Sequence, residues 1–183
     1  MSFTWTPHRF SGGALALDVA NAVVLRFDPA RRIDRFADPA AIDGFADAAR
    51  RHCAEVLPAL AAPRAEDRPL FLALREAIDA HFRAIARGGA AEDAALATLL
   101  ETIAAVIRRG AGDGATRLDV QTAHSALRLA ALPDPARLKI CPHCEWLFLD
   151  RSRNRSRTWC DMAVCGNRTK ARRHYRRSKE HDA

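Results

Sequence analysis

Four cysteines near the C-terminal end constrain this chain more than any other feature. Cys141 and Cys144 form a Cys-x2-Cys pair, fifteen residues follow, and Cys160 and Cys165 form a Cys-x4-Cys pair. Each pair can close a tight turn, and two turns joined by a hairpin bring four thiolates to one point. Tetrahedral sulfur coordination of this kind suits Zn2+, which has no redox chemistry of its own. Paired cysteines at roughly this separation read as a metal site. An iron–sulfur cluster or a pair of disulfides is the alternative. Four thiolates leave no open position for a catalytic water, so the zinc is expected to be structural. His143 and His174 are the other candidate ligands. His143 lies inside the first turn and is expected to point outward.

The 183 residues suffice for one ordinary domain and a small module. No apolar run approaches the roughly 18 residues that span a bilayer. The segment 1–10 has no apolar signal core and contains Pro7, His8 and Arg9. A cytoplasmic location is expected, and its reducing conditions favour metal over disulfide. The fifth cysteine, Cys53, falls on an apolar helix face and reads as a small buried hydrophobe. Charge divides the chain unevenly. Residues 1–136 carry 16 Lys and Arg against 17 Asp and Glu, whereas residues 137–183 carry 13 against 5. A zinc tetrathiolate of charge −2 would still leave the second region strongly basic. A near-neutral body with a basic end suits contact with a polyanion.

Helical periodicity dominates the first region. Residues 11–25 open on Gly12-Gly13 and predict a short helix, with Leu15, Leu17 and Val19 also compatible with a strand. Asp38-Pro39 supplies a carboxylate cap and a first-turn proline. Ile42, Phe45, Ala49, Cys53, Val56 and Leu60 follow at helical spacing. Asp67 and Pro69 open a helix with a stripe of Leu70, Leu74, Ala77, Ile78, Phe82 and Ile85, stopped by Gly88-Gly89. A third runs from about Glu92 to Arg109 on Leu96, Leu99, Leu100, Ile103, Val106 and Ile107. Residues 116–120 alternate as in a short strand, and 122–132 read as a helix. Pro133-Asp134-Pro135 is the clearest linker. The expectation is a mainly α protein: a helical domain over 1–135, then a small treble-clef-like finger over 136–183, built of a β-hairpin and a helix. In that finger Cys141–Cys144 forms a knuckle, 146–149 and 157–160 form the two strands, and a helix opens at Cys165. Its free N–H groups and dipole would favour a centre of charge −2. Gly166 allows close backbone approach, and Asn167 is either a cap or a surface residue.

The stretch from Cys141 to Arg177 resembles the CGNR zinc-finger family, named for the run Cys165-Gly166-Asn167-Arg168. The segment GGALALDVANAV resembles the ABATE domain that precedes this finger. The resemblance implies a bacterial stress-induced transcription regulator that contacts DNA through the finger.

The residues themselves point the same way. Arg172, Arg176 and Lys179 share one helix face by three- and four-residue spacing, with Arg173 and Arg177 beside them. Arg168 and Lys170 open the same helix. Arg151, Arg153, Arg155 and Arg157 alternate with Ser and Asn in the preceding turn. Such a surface suits phosphate oxygens, and a solvated helix end is the plainer alternative. Tyr175 would either stack on a base or cover the metal site. Asp18 and Asn21 are three residues apart near the glycine turn. They either line a small-molecule pocket or tie down their helix. No phosphate loop, nucleophile elbow or carboxylate–histidine constellation is present, so no enzymatic activity is expected. The expected function is a zinc-containing regulator that binds DNA, with the helical domain sensing an effector or forming a homodimer. The alternative is a protein–protein module whose basic residues are occupied by acids such as Glu92, Asp93 or Glu101.

Overall fold

The computed structural model describes residues 3–89, 93–112, 116–171 and 175. Among them lie the α-helices α1 (Leu15–Ala20), α2 (Pro39–His52), α3 (Arg68–Ala86), α4 (Asp93–Arg109) and α5 (Leu118–Ala130), with helical backbone again over 167–171. Two antiparallel pairs of short strands accompany them. β1 (Val23–Val24) pairs with β2 (Ile33–Asp34), and β3 (Leu138–Ile140) pairs with β4 (Leu147–Leu149). The architecture is mainly α with a C-terminal β-hairpin region, as expected. No helix among the described residues is long and apolar enough to cross a membrane.

The helices begin and end where their caps dictate. The Asp38 carboxylate accepts from the Ala40 amide at 2.9 Å, with Pro39 at the first helical position. α2 stops at His52, because Cys53 adopts an extended conformation. The predicted stripe therefore ends early, and Val56 is fully exposed. Asp67 precedes α3 but does not cap it. Its carboxylate instead receives Arg117 at 2.7 Å and Arg109 at 3.1 Å. Arg117 also grips Asp119 at 2.6 Å, so these buried charges are paired rather than orphaned.

The predicted strand over 116–120 is not formed. Only Arg117 bridges Ala61, and α5 begins at the next residue. Leu118, Thr122, Ala123, Ala126 and Leu129 are buried along one helical stripe, which outweighs the local alternation.

One apolar core lies between α1, α3, α4 and α5. It contains Leu17, Leu74, Ile78, Phe82, Leu99, Ile103 and Ala126. Leu138, Leu147 and Leu149 of the β3–β4 hairpin belong to that same cluster. A second cluster joins Trp5, Phe10, Phe36, Phe45, Phe71 and Leu118 around α2. The linker at 133–135 thus connects two regions that share buried leucines.

Candidate metal centre

The first turn of the centre grows directly out of the β3–β4 hairpin. Leu138 faces Leu149, Lys139 faces Phe148 and Ile140 faces Leu147. Cys141 extends the pairing by donating its amide to Trp146 O at 2.9 Å. Glu145 closes the turn by donating to Cys141 O at 2.9 Å, with φ of 61°. The sequence placed the second strand of the hairpin at 157–160. That strand does not exist. The true partner, β3, lies immediately before the knuckle, and residues 157–160 run as an irregular segment.

β4 is pinned from the opposite side by α1 and its leading turn. The Asn21 side-chain amide donates to Leu147 O at 2.8 Å and accepts from Leu147 N at 2.9 Å. Gly12 O accepts from Leu149 N at 2.8 Å. Gly13 has φ of 83°, and an added Cβ would lie 3.3 Å from Leu149 O. The turn therefore needs glycine for its conformation and for its close approach.

The second turn is held by carboxylates. Asp150 is completely buried and accepts from Lys139 Nζ at 2.7 Å, Ser152 N at 2.9 Å, Ser152 Oγ at 2.6 Å and Arg157 N at 3.0 Å. Burial alone would raise its pKa, but these donors outweigh it and hold the carboxyl below the usual range. Asp161 Oδ1 accepts from the amides of Ala163 and Val164 at 2.8 and 3.2 Å, capping a single π-turn over Met162–Gly166. Asp161 Oδ2 meets His8 Nδ1 at 2.9 Å. Asp161 supplies the cap, and Asn167 is an exposed surface residue, the second of the two roles its position allowed. Helical backbone continues over 167–171, where Thr169 Oγ1 donates to Cys165 O at 3.0 Å.

These supports bring Cys141, Cys144, Cys160 and Cys165 together, with every sulfur within 4.8 Å of the others. Cys144 and Cys160 are 3.5 Å apart, and Cys160 and Cys165 are 3.6 Å apart. A tetrahedron with zinc–sulfur bonds of about 2.3 Å has edges of roughly 3.8 Å. None of the cysteines forms a disulfide. Cys141, Cys160 and Cys165 are buried, and Cys144 is partly buried. Hydrogen bonds from Cys144 and then Cys160 lower the pKa of Cys141. Contacts with Cys141 and then Cys160 raise Cys144, and Cys160 is raised chiefly by Cys141. Cys165 is raised by burial and by the Cys141 charge. A second and third thiolate are thus opposed by the first, and a divalent cation removes that opposition. All four positions of a structural zinc site are filled by protein sulfur.

Cation placement separates the predicted phosphate contacts. Arg157 is half-buried, with its guanidinium over the Phe148 ring and donating to Trp159 O and Cys160 O. Arg151 is exposed but donates to Gly13 O at 2.7 Å. Arg155, with φ of 51°, reaches Asp134 at 3.4 Å. Arg153, Arg168 and Lys170 are exposed and have no acceptor among the described residues. Tyr175 is exposed as well. Arg172, Arg173, Arg176, Arg177, Lys179, His174 and Glu92 lie outside the described residues.

Asp18 and Asn21 are both buried. Asn21 is committed to Leu147, and Asp18 Oδ1 accepts from the Gly12 amide at 2.8 Å. Both therefore serve the glycine turn and β4. Burial pushes Asp18 up to about 8, and its Oδ2 has no partner. Asp150, Asp161 and His8 support the centre without having been singled out by sequence. Asp150-x-Ser152 and Asp161-x-Ala163 are local side-chain-to-amide patterns legible in sequence. The His8 contact, 153 residues away, is not.

No curated protein matches the chain. Residues 137–178, the span holding all four clustered sulfurs and the run Cys165-Gly166-Asn167-Arg168, match the family model of the CGNR zinc finger.

Proposed function

We propose that the protein is a non-enzymatic regulator that contacts the phosphate backbone of DNA through its zinc finger, with the helical region serving effector sensing or dimerisation. One observation carries the reading. Two of the finger's three described acids are turned to internal work, Glu145 being exposed, while several of its cations are not. Asp150 and Asp161 spend their carboxylates on Lys139, Ser152, backbone amides and His8. Arg153, Arg168 and Lys170 remain open to solvent. The surplus charge near the metal centre therefore faces outward, where it can replace counterions on a polyanion. No cation of the finger pairs with Asp93 or Glu101 among the described residues, although Arg137 and Arg155 reach Asp134 at the end of the helical region.

Effector sensing draws support from an open groove of about 550 Å3 between α3 and the β1–β2 loop. Arg83 and Arg87 lie over the exposed Phe27 ring at 4.9 and 5.4 Å. Arg83 also donates to Glu145 O of the knuckle at 2.9 Å, so the groove touches the finger directly.

Fluorescence anisotropy of a labelled duplex at two salt concentrations tests the reading. Four to six phosphate contacts should give a log–log salt slope of about −4 to −5. Joint replacement of Arg172 and Arg176 by Ala should weaken binding with zinc content unchanged. A zinc-loaded protein with no measurable affinity at low salt would overturn it.

A further inference from the structure

Arg9 and Arg35 meet beside the metal centre from separate parts of the chain, and neither has an acceptor among the described residues. Arg9 comes from the short helical turn before Gly12, and Arg35 follows β2. Arg35 lies 3.7 Å from the Phe3 ring centre, and Arg9 lies 5.7 Å from that same ring. Arg9 also sits 5.5 Å from the Trp146 ring, whose other neighbour is the stacked His8. The aromatic rings fix both guanidinium planes, as cation–π contacts do.

The burial of these groups is selective. The Nε atoms of Arg9 and Arg35 are sealed from solvent and unpartnered, as is Trp146 Nε1. The terminal guanidinium nitrogens of Arg9 and Arg35 are not sealed and have no acceptor. Each arginine is thus pressed onto an aromatic surface with its donor fork left open. Such a fork matches phosphate oxygens in bidentate geometry. No carboxylate relieves the like charges, and the Cys144 and Cys165 sulfurs offset them at Arg9 only in part. Burial and then the Arg168 charge lower Arg9, while burial and then the Arg9 charge push Arg35 down to about 10. Elsewhere in the molecule, the buried arginines are paired with acids: Arg75 has Asp34, Arg83 has Asp79 and Arg117 has Asp67 and Asp119.

We infer that Arg9 and Arg35 form a phosphate-binding site at the junction of the N-terminal segment and the zinc finger. In its fuller form this rests on the DNA reading, and the ligand is then a backbone phosphodiester. The same chemistry would accept a free phosphate or pyrophosphate. The N-terminal segment would share the anion-binding surface with the finger, and His8–Asp161 would keep the two in register.

The test uses the full-length, zinc-loaded chain with Arg9→Gln, Arg35→Gln and Arg9→Lys. Zinc content and release rate are measured beside duplex affinity, and melting temperature is read with and without inorganic pyrophosphate. Arg9→Gln and Arg35→Gln should each weaken duplex binding about tenfold, the worth of one charged hydrogen bond. The salt slope should shrink by roughly 0.9 per phosphate lost, with zinc retained. Arg9→Lys keeps the charge without the fork, so it should recover only part of the loss. Wild-type duplex affinity in the Arg9 and Arg35 variants, with faster zinc release, would overturn the site and leave the arginines as counter-charges to the thiolates. If the wild-type protein binds no duplex, the DNA reading fails. The site then stands if pyrophosphate raises the melting temperature only when Arg9 and Arg35 are present, and it falls if that response is absent or survives both substitutions.

Discussion

The two cysteine pairs are held by different kinds of structure. Cys141 and Cys144 hang from a strand pair whose leucines lie in the main core, and whose outer edge is bonded by Asn21 and Gly12. Cys160 and Cys165 hang from irregular backbone that is tied by two carboxylates and by His8. The first half would keep its shape through packing alone. The second half has no regular strand and little apolar surface, with Trp159 only partly buried. The metal therefore contributes unequally to the two halves. It completes a turn that already exists and creates one that otherwise has few reasons to persist.

The largest effect should come from removing zinc from this arrangement. Cys160→Ser should release the metal and lose much of the roughly 10–16 kcal/mol that such sites supply. Hydrogen exchange should then show residues 150–171 opening while amides of β3 and β4 stay protected. Equal loss of protection in both segments would break the distinction.

Asn21→Ala attacks the packed half instead. It would leave Leu147 N and O unpaired and buried, at about 1–3 kcal/mol for each group. Denaturant unfolding should report the loss, whereas zinc release should change little.

A third expectation concerns Asp18, which accepts from the Gly12 amide beneath β4. Its carboxyl is raised to about 8 in the folded state, against about 3.9 unfolded. Between those values the native state binds the extra proton, so stability falls as pH rises from about 4 to about 8 and then levels off. Asp18→Asn keeps an oxygen for Gly12 and should flatten that decline, by a few kcal/mol at most. Midpoints of urea unfolding at pH 5 and pH 9 would decide it.

The smallest effect should come from Asp161→Ala. Loss of one cap costs about 1 kcal/mol, and it should appear as faster zinc release rather than as lower global stability.

Much of the molecule was legible because its signals are local. The cysteine quartet, the Asp38-Pro39 start and the stripes of α3 and α4 all depend on spacing within a few residues. The hairpin was misread because a partner strand of three residues, Leu138–Ile140, offers no alternation to count. Asn21 reads from the sequence as lining a pocket or tying down its helix, yet its partner Leu147 lies 126 positions away, a distance that no periodicity spans. The arginines of the N-terminal segment escaped notice for the same reason, since only folding brings Arg9 and Arg35 beside the finger.

The leucines that the hairpin lends to the helical core make zinc a thermodynamic partner of the entire chain. Any ion bound only by the native state deepens the native well, by about 2.7 kcal/mol at a hundredfold excess over its dissociation constant. That gain should reach α1 and α3 through Leu138, Leu147 and Leu149. Melting followed at a probe in the distant helices should therefore track metal occupancy at the other end of the molecule.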